Sequence, residues 1–205
     1  MKKKIFTTNV LTEIAVFAAI GWVLDYFQGQ LFGGPFYNGG SIGIASIVVL
    51  VVGYRRGFLP SLFTGFLMGL LQLLGGFYTI ADTWYNVFFQ VILDYILAYP
   101  MVSLGILIKP LIKNNTSFII VSSIIGHLWK LLVHYLSGVI FWRINEPNKI
   151  PILGFNIGSP ELYSFLYNAS YVVPSLILCT IILIIIYKKQ PNLLEVQLWK
   201  KHMHY

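Results

Sequence analysis

A lipid bilayer leaves a chain few ways to fold, and this chain is dominated by apolar runs long enough to meet one. A helix needs about 20 apolar residues to cross the hydrocarbon core. Runs of that kind cover 10–32, 58–77, 85–108, 118–141 and 162–187, and a shorter one at 41–53 lies between the first two. The short run is expected to be tilted, broken or buried in protein. The six runs fill most of the 205 residues and leave no room for a soluble domain. The expected fold is an all-α integral membrane protein with six transmembrane helices, a single membrane domain over 1–205.

Charge supports this and fixes an orientation. Hydrophobic residues make up 57% of the chain and charged residues 10%, against about 25% charged in a soluble domain. The net charge of +7 does not point to nucleic acid, because the basic residues sit in short clusters between apolar runs. Such clusters orient helices, with the basic side inside. With the N-terminus in the cytoplasm, Lys2, Lys3, Lys4, Arg55, Arg56, Lys109, Lys113, Lys188, Lys189, Lys200 and Lys201 all fall inside. Arg143 and Lys149 fall outside, and Lys130 lies within a span. Six spans return the C-terminus to the cytoplasm too. The lone Cys179 excludes an internal disulfide and reads as a small buried or lipid-facing hydrophobe. The basic N-terminus precedes an apolar run without a small-residue cleavage site, so no cleavable signal is expected.

Function is sought in the polar residues inside the runs. Residues 126–142, GHLWKLLVHYLSGVIFW, hold His127, Lys130 and His134. An ionisable group at bilayer depth costs roughly 2.5–3.5 kcal/mol and normally faces a cavity or a partner. Lys130, His134, Gly138 and Trp142 recur at every fourth position, so a helix stacks them in one stripe. A cation, an imidazole, a gap and an aromatic plate form one wall of a small-molecule site. In the fourth run, Gln90 and Asp94-Tyr95 allow two readings of the carboxylate. It pairs with Lys130 and locks two helices, or it accepts a cationic or amine-bearing ligand; both can hold at once. The sixth run opens with Tyr163, Tyr167 and Tyr171 at spacing four, beside Asn168. The tyrosines fit an interfacial aromatic belt, whereas the Asn168 amide needs partners in an apolar place. Together these groups suit a flat, nitrogen-rich cation. Aromatic plates would hold its ring, with cation–π attraction of roughly 0.5–2 kcal/mol, and polar groups would read its edge.

Three connections fall on the outer side: 28–40, rich in glycine, 77–84, short and aromatic, and 142–160, the longest. They serve as lids over a site or merely join helices. In the first run Ala15 and Ala19 form a small-xxx-small pair, which admits another helix at close range, from this chain or from a partner. Catalytic patterns are missing: no HExxH, GxSxG or Walker A sequence occurs, and His127 and His134 lack further ligands at metal spacing. No metal, no cofactor and no enzymatic activity are expected, and the chain has no visible means of using ATP by itself.

Five blocks go further: LTEIAVFAAI in the first run, YRRG before the third, LDYILA, KLLVHYLSGVIFW and YSFLYN. Through them the chain resembles, over nearly its whole length, the thiamine-specific substrate-binding membrane subunits, or S components, of energy-coupling-factor (ECF) vitamin transporters. The resemblance implies the six-helix S-component fold, a thiamine pocket near the outer face and residence in a prokaryotic plasma membrane. It places Asp94, Tyr95, Lys130, His134, Gly138, Trp142, Tyr163, Asn168 and Tyr78 at the substrate. It also places Ala15 and Ala19 on the surface that docks a transmembrane coupling subunit, itself joined to two ATP-binding subunits. Two departures stand out. Asp94 occupies a position where Glu is expected, and Phe36 and Tyr37 stand where the family's loop tryptophan is expected. The rival readings are an S component for another vitamin or pyrimidine precursor, a stand-alone carrier relaying protons through Asp94 and Lys130, and an intramembrane enzyme.

Overall fold

The computed structural model describes residues 5–32, 40–145, 150–152 and 155–194. Phe36 and Tyr37 lie outside the described residues. Helix α1 runs over Thr8–Phe32, α2 over Ile47–Arg56 and α3 over Phe58–Gln72. The next crossing is assembled from α4 (Trp84–Val91), a π-helical turn at Ile92–Leu97, α5 (Ala98–Val102) and a 3₁₀ stretch at Ser103–Leu111. Helix α6 spans Asn115–Asn145, α7 Pro160–Lys189, and the short α8 Pro191–Leu194. A small antiparallel hairpin, β1 (Ile150–Ile152) with β2 (Phe155–Ile157), interrupts the helical pattern in the longest connection.

Among the described residues, five helical stretches are long and apolar enough to cross a membrane: Thr8–Leu31, Phe58–Gly75, Trp84–Leu111, Asn115–Trp142 and Pro160–Lys189. At ten residues α2 is too short to span alone. Of the fates expected for the short run, burial in protein is the one seen: Ile47 to Tyr54 are all buried. Gly57 stops α2 at φ 93°, a left-handed value that suits glycine, and lets α3 start at once. At the head of α7, the Ser159 Oγ accepts from the Leu162 N–H at 3.3 Å, and Pro160 fills the first turn.

The outer faces are apolar. Leu128, Leu132 and Leu136 stand exposed on α6, as do Ile177, Ile181 and Ile185 on α7. Lipid tails are as apolar as leucine, so burying such residues between helices gains little. Tight packing of small residues does more. A Cβ added at Gly105 would lie 1.9 Å from the Ser122 carbonyl oxygen, and one at Gly126 2.4 Å from that of Val102. The crossing that carries Asp94 therefore presses backbone to backbone on α6. Gly69 of α3 does the same to the π-helical turn, its virtual Cβ lying 2.4 Å from the Tyr95 carbonyl oxygen. Pro100 lacks the N–H that would close the helix onto this turn, which accounts for the local change of winding.

Two buried clusters divide the bundle. One gathers Leu50, Tyr54, Met68, Ile106, Phe118 and Leu183. The other gathers Leu131, Trp142, Tyr163, Tyr167, Tyr171 and Val172. At the far end of α1 from the second cluster, Glu13 accepts from both Arg55 (Nε 3.1 Å, Nη2 2.9 Å) and Arg56 (Nε 2.9 Å, with a second contact through Nη2). Two guanidinium forks on one carboxylate tie α1 to the end of α2. Arg55 Nη1 also donates to the Leu193 carbonyl at 2.7 Å.

Gly69→Ala is expected to destabilise the protein by about 1–3 kcal/mol through overpacking, lowering its melting temperature in detergent by several degrees, about 2 °C at least. Gly29→Ala, where a Cβ meets nothing within 4 Å, serves as the control. Equal melting temperatures would contradict the close approach of α3 to the π-helical turn.

Candidate functional site

Around the second cluster the helices leave a cavity of about 340 Å³, within the roughly 300–1,000 Å³ range of small-molecule sites. Its best-organised group is Asp94. One carboxylate oxygen, Oδ1, lies 3.2 Å from His134 Nδ1. The other, Oδ2, accepts from Ser137 Oγ at 2.7 Å and Gln90 Nε2 at 3.3 Å. The side chains of Asp94 and His134 are 21% and 12% exposed, so both still reach the cavity. A carboxylate with donors on both oxygens is held in one orientation, with lone-pair capacity left for a ligand. The π-helical turn sets it there; such turns frequently occur at functional sites.

The stripe on α6 behaves as a wall. Lys130, His134, Gly138 and Trp142 all line the cavity. Gly138 also admits α7, because a Cβ there would meet Ser164 Oγ at 2.2 Å. Trp142 is buried against Tyr163 (ring centroids 4.4 Å apart) and Tyr167 (5.2 Å), both edge to face. Tyr163 stacks on Tyr167 at 5.8 Å. Tyr163 is therefore one layer behind the cavity wall and sets the Trp142 plate. Tyr163, Tyr167 and Tyr171 of α7 are all buried, which excludes the interfacial belt for these three. Asn168 lines the cavity but is largely engaged: its Nδ2 donates to the Ser164 carbonyl at 2.8 Å and to the His134 carbonyl at 3.3 Å, and its Oδ1 accepts from Tyr171 OH.

Of the two readings of Asp94, the ion pair with Lys130 does not form. Lys130 Nζ instead lies 4.0 Å from the centre of the Tyr99 ring, and it makes no ion pair among the described residues. The hydroxyl of Tyr99 donates to Asp25 Oδ1, which also accepts from Gln28 Nε2 at 2.7 Å, while Oδ2 accepts from Gln72 Nε2. Cation, ring and carboxylate thus join α6, α5 and α1.

Two glutamines connect these carboxylates to the loops around the cavity. Gln90 Oε1 accepts from the N–H groups of Ile80 and Ala81 at 3.0 and 3.1 Å. Gln28 Oε1 accepts from those of Ile44 and Ala45 at 2.8 and 3.2 Å. The Tyr95 hydroxyl accepts from the Tyr78 N–H at 2.7 Å and donates to its carbonyl at 3.2 Å. The segment after the first connection is pinned further by Gly40 N–H to Tyr167 OH (3.0 Å) and Gly43 N–H to Ser175 Oγ (2.9 Å).

The sequence profile of the thiamine transporter protein family (Thia_YuaJ) matches residues 11–195. The chain is 31% identical over 198 residues to the thiamine transporter ThiT of Bacillus subtilis (strain 168), covering 90% of this chain and 93% of that one.

The chain belongs to the thiamine transporter protein family.

A second member, ThiT of Lacticaseibacillus paracasei, is 26% identical over 200 residues, covering 90% of this chain and 89% of its own. The solved structure of ThiT from Listeria monocytogenes matches with a TM-score of 0.70 at 26% identity, over 90% of this chain and 96% of that one. The family's profile thus spans every helix that walls the cavity.

Of the residues singled out in the sequence, Tyr78, Asp94, Tyr95, Lys130, His134, Gly138, Trp142 and Asn168 surround this one cavity, and Tyr163 backs it. Sequence reasoning missed the half contributed by α1 and α3: Trp22, Asp25, Gln28 and Gln72. It also missed Ser137 and Tyr99. The cost of an intramembrane carboxylate, which singled out Asp94, applies equally to Asp25.

Replacing Gln90 with leucine should release the amides of Ile80 and Ala81. Two lost hydrogen bonds, at about 1 kcal/mol each, are expected to speed their hydrogen exchange at least roughly fivefold. Unchanged exchange at 80–81 would show that Gln90 does not hold this loop.

Proposed function

We propose that this protein captures thiamine from outside the cell, as the substrate-specificity subunit of an ATP-driven ECF transporter. The observation that carries the reading is the cradled Asp94: a fixed carboxylate in a cavity of an apolar bundle is suited to a cationic, amine-bearing ring system. Thiamine is such a molecule, with a thiazolium cation and an aminopyrimidine edge, and membership of the thiamine transporter family supports the choice.

In this reading Asp94 takes the aminopyrimidine edge or the nearby positive charge, held ready by His134, Ser137 and Gln90. Trp142 and His134 flank the thiazolium ring, and Tyr163 keeps Trp142 in place. Asn168, its amide already engaged, fixes the His134 turn of α6 and offers little capacity of its own. Tyr95 and Tyr78 close the side beneath the 77–83 loop. Lys130 sits over Tyr99 and contributes charge rather than an ion pair.

The whole chain forms one membrane domain, with both termini in the cytoplasm. The segment around α2 completes a sixth crossing together with 40–46, sheltered by its neighbours. The Glu13–Arg55–Arg56 cluster then lies at the cytoplasmic end. Along α1 it is about 18 Å from Asp25, at 1.5 Å per residue. Ala15 and Ala19 are exposed, as a docking stripe for the transmembrane coupling subunit requires. ATP hydrolysis by two partner subunits drives release.

Purified protein titrated with thiamine should give a saturable change in tryptophan fluorescence at or below micromolar concentration, reported by Trp142 and Trp22. A flat titration removes the substrate assignment. Asp94→Asn is expected to weaken binding at least roughly tenfold, since it removes one charge interaction in a low-dielectric site; wild-type affinity in this variant would remove the role given to the carboxylate.

A further inference from the structure

We propose that Asp25 is a specificity-determining residue, which sets the charge of the cavity so that a cationic ligand with an uncharged tail is accepted and its phosphate ester is rejected. The inference rests on the thiamine reading above. Asp25 sits in the last third of the membrane helix α1, lines the same cavity as Asp94, and is held by three donors, Gln28, Tyr99 and Gln72. All three are neutral. They fix the carboxylate without cancelling its charge, and the Lys130 ammonium lies over the Tyr99 ring rather than on the carboxylate itself.

Among the described residues, the acidic and basic side chains lining the cavity are Asp25, Asp94, Lys130 and His134. Leaving the imidazole out of the count, two carboxylates face one ammonium, a formal charge of −1. A monocation brings the filled cavity to neutrality. A phosphate monoester of the same molecule brings one or two further negative charges into a low-dielectric space already containing two carboxylates, where like charges repel strongly. Without Asp25 the empty cavity would be formally neutral, and that penalty would shrink.

Hydrogen bonding points the same way. Gln72 gives its amide N–H to Asp25, and Gln28 and Tyr99 do likewise, so the Asp25 carboxylate enters the cavity wall as an acceptor with lone-pair capacity left over. The wall presents acceptors there. A hydroxyl can donate to them; an ionised phosphate ester has no proton to give them. Rejection by charge and by unpaired acceptors is how a site excludes a close analogue of its ligand.

The test compares dissociation constants for thiamine and thiamine monophosphate on the full chain in detergent, for wild type, Asp25→Asn and Asp25→Ser. The serine variant covers the case in which the asparagine variant is not recovered folded. Wild type is expected to bind the monophosphate at least about tenfold more weakly than thiamine. Removing the Asp25 charge is expected to narrow that ratio at least about threefold. A merely structural role would weaken both ligands by the same factor and leave the ratio unchanged, which overturns the proposal. Equal binding of both ligands by wild type overturns it as well. Failure of the thiamine reading shows separately, as absence of thiamine binding by wild type in the same titration.

Discussion

A carboxylate inside a bundle that faces lipid has no water to solvate it, so protein donors must surround it. That requirement organises the upper half of this molecule. Asp94 draws His134 and Ser137 from α6 and Gln90 from its own crossing. Asp25 draws Gln28 from α1, Gln72 from α3 and Tyr99 from α5. Each glutamine that serves one end of this arrangement, Gln90 or Gln28, spends its carbonyl on two consecutive backbone N–H groups of an adjoining loop. Loops and carboxylates are thereby linked through single side chains, so a ligand that displaces either carboxylate would be felt at the cavity's edge.

The lower half is built differently. Where no ligand has to be held, the helices close up on glycine and serine, as at Gly105 against Ser122 and Gly126 against Val102. Leucine and isoleucine are turned outward, toward lipid. The Glu13 pair of arginine forks fastens the end of α1 to α2, and the buried, ten-residue α2 fills the interior between its longer neighbours. Close backbone packing at one end and a hollow at the other follow from where the small residues and the carboxylates fall along the chain.

Much of this was legible in the sequence, for identifiable reasons. Length and hydropathy reveal long membrane helices because nothing else tolerates such runs. The spacing of four from Lys130 to Trp142 revealed the wall because a helix must stack those positions. The partners of the polar groups were not legible. Pairing Asp94 with Lys130 was one of two readings open from charge, yet Lys130 lies over Tyr99 and Asp94 is held by His134, Ser137 and Gln90, which charge alone does not determine. The aromatic belt failed as a reading for a similar reason: whether Tyr163, Tyr167 and Tyr171 face headgroups or Trp142 is set by the rotation of α7, which spacing alone does not determine. Asp25 and Gln72 were overlooked because no spacing in the sequence ties them to Asp94, and only the fold brings them to the same cavity.

In the function proposed here, the cavity holds its ligand by surrounding a positive charge with fixed carboxylates. The most direct measurement is the affinity of the wild-type protein for a neutral isostere of thiamine, in which an uncharged ring of the same size replaces the thiazolium. Binding weaker than that of thiamine by at least about tenfold is expected, the loss of one charge interaction at low dielectric. Equal affinity for the charged and uncharged molecules would contradict it.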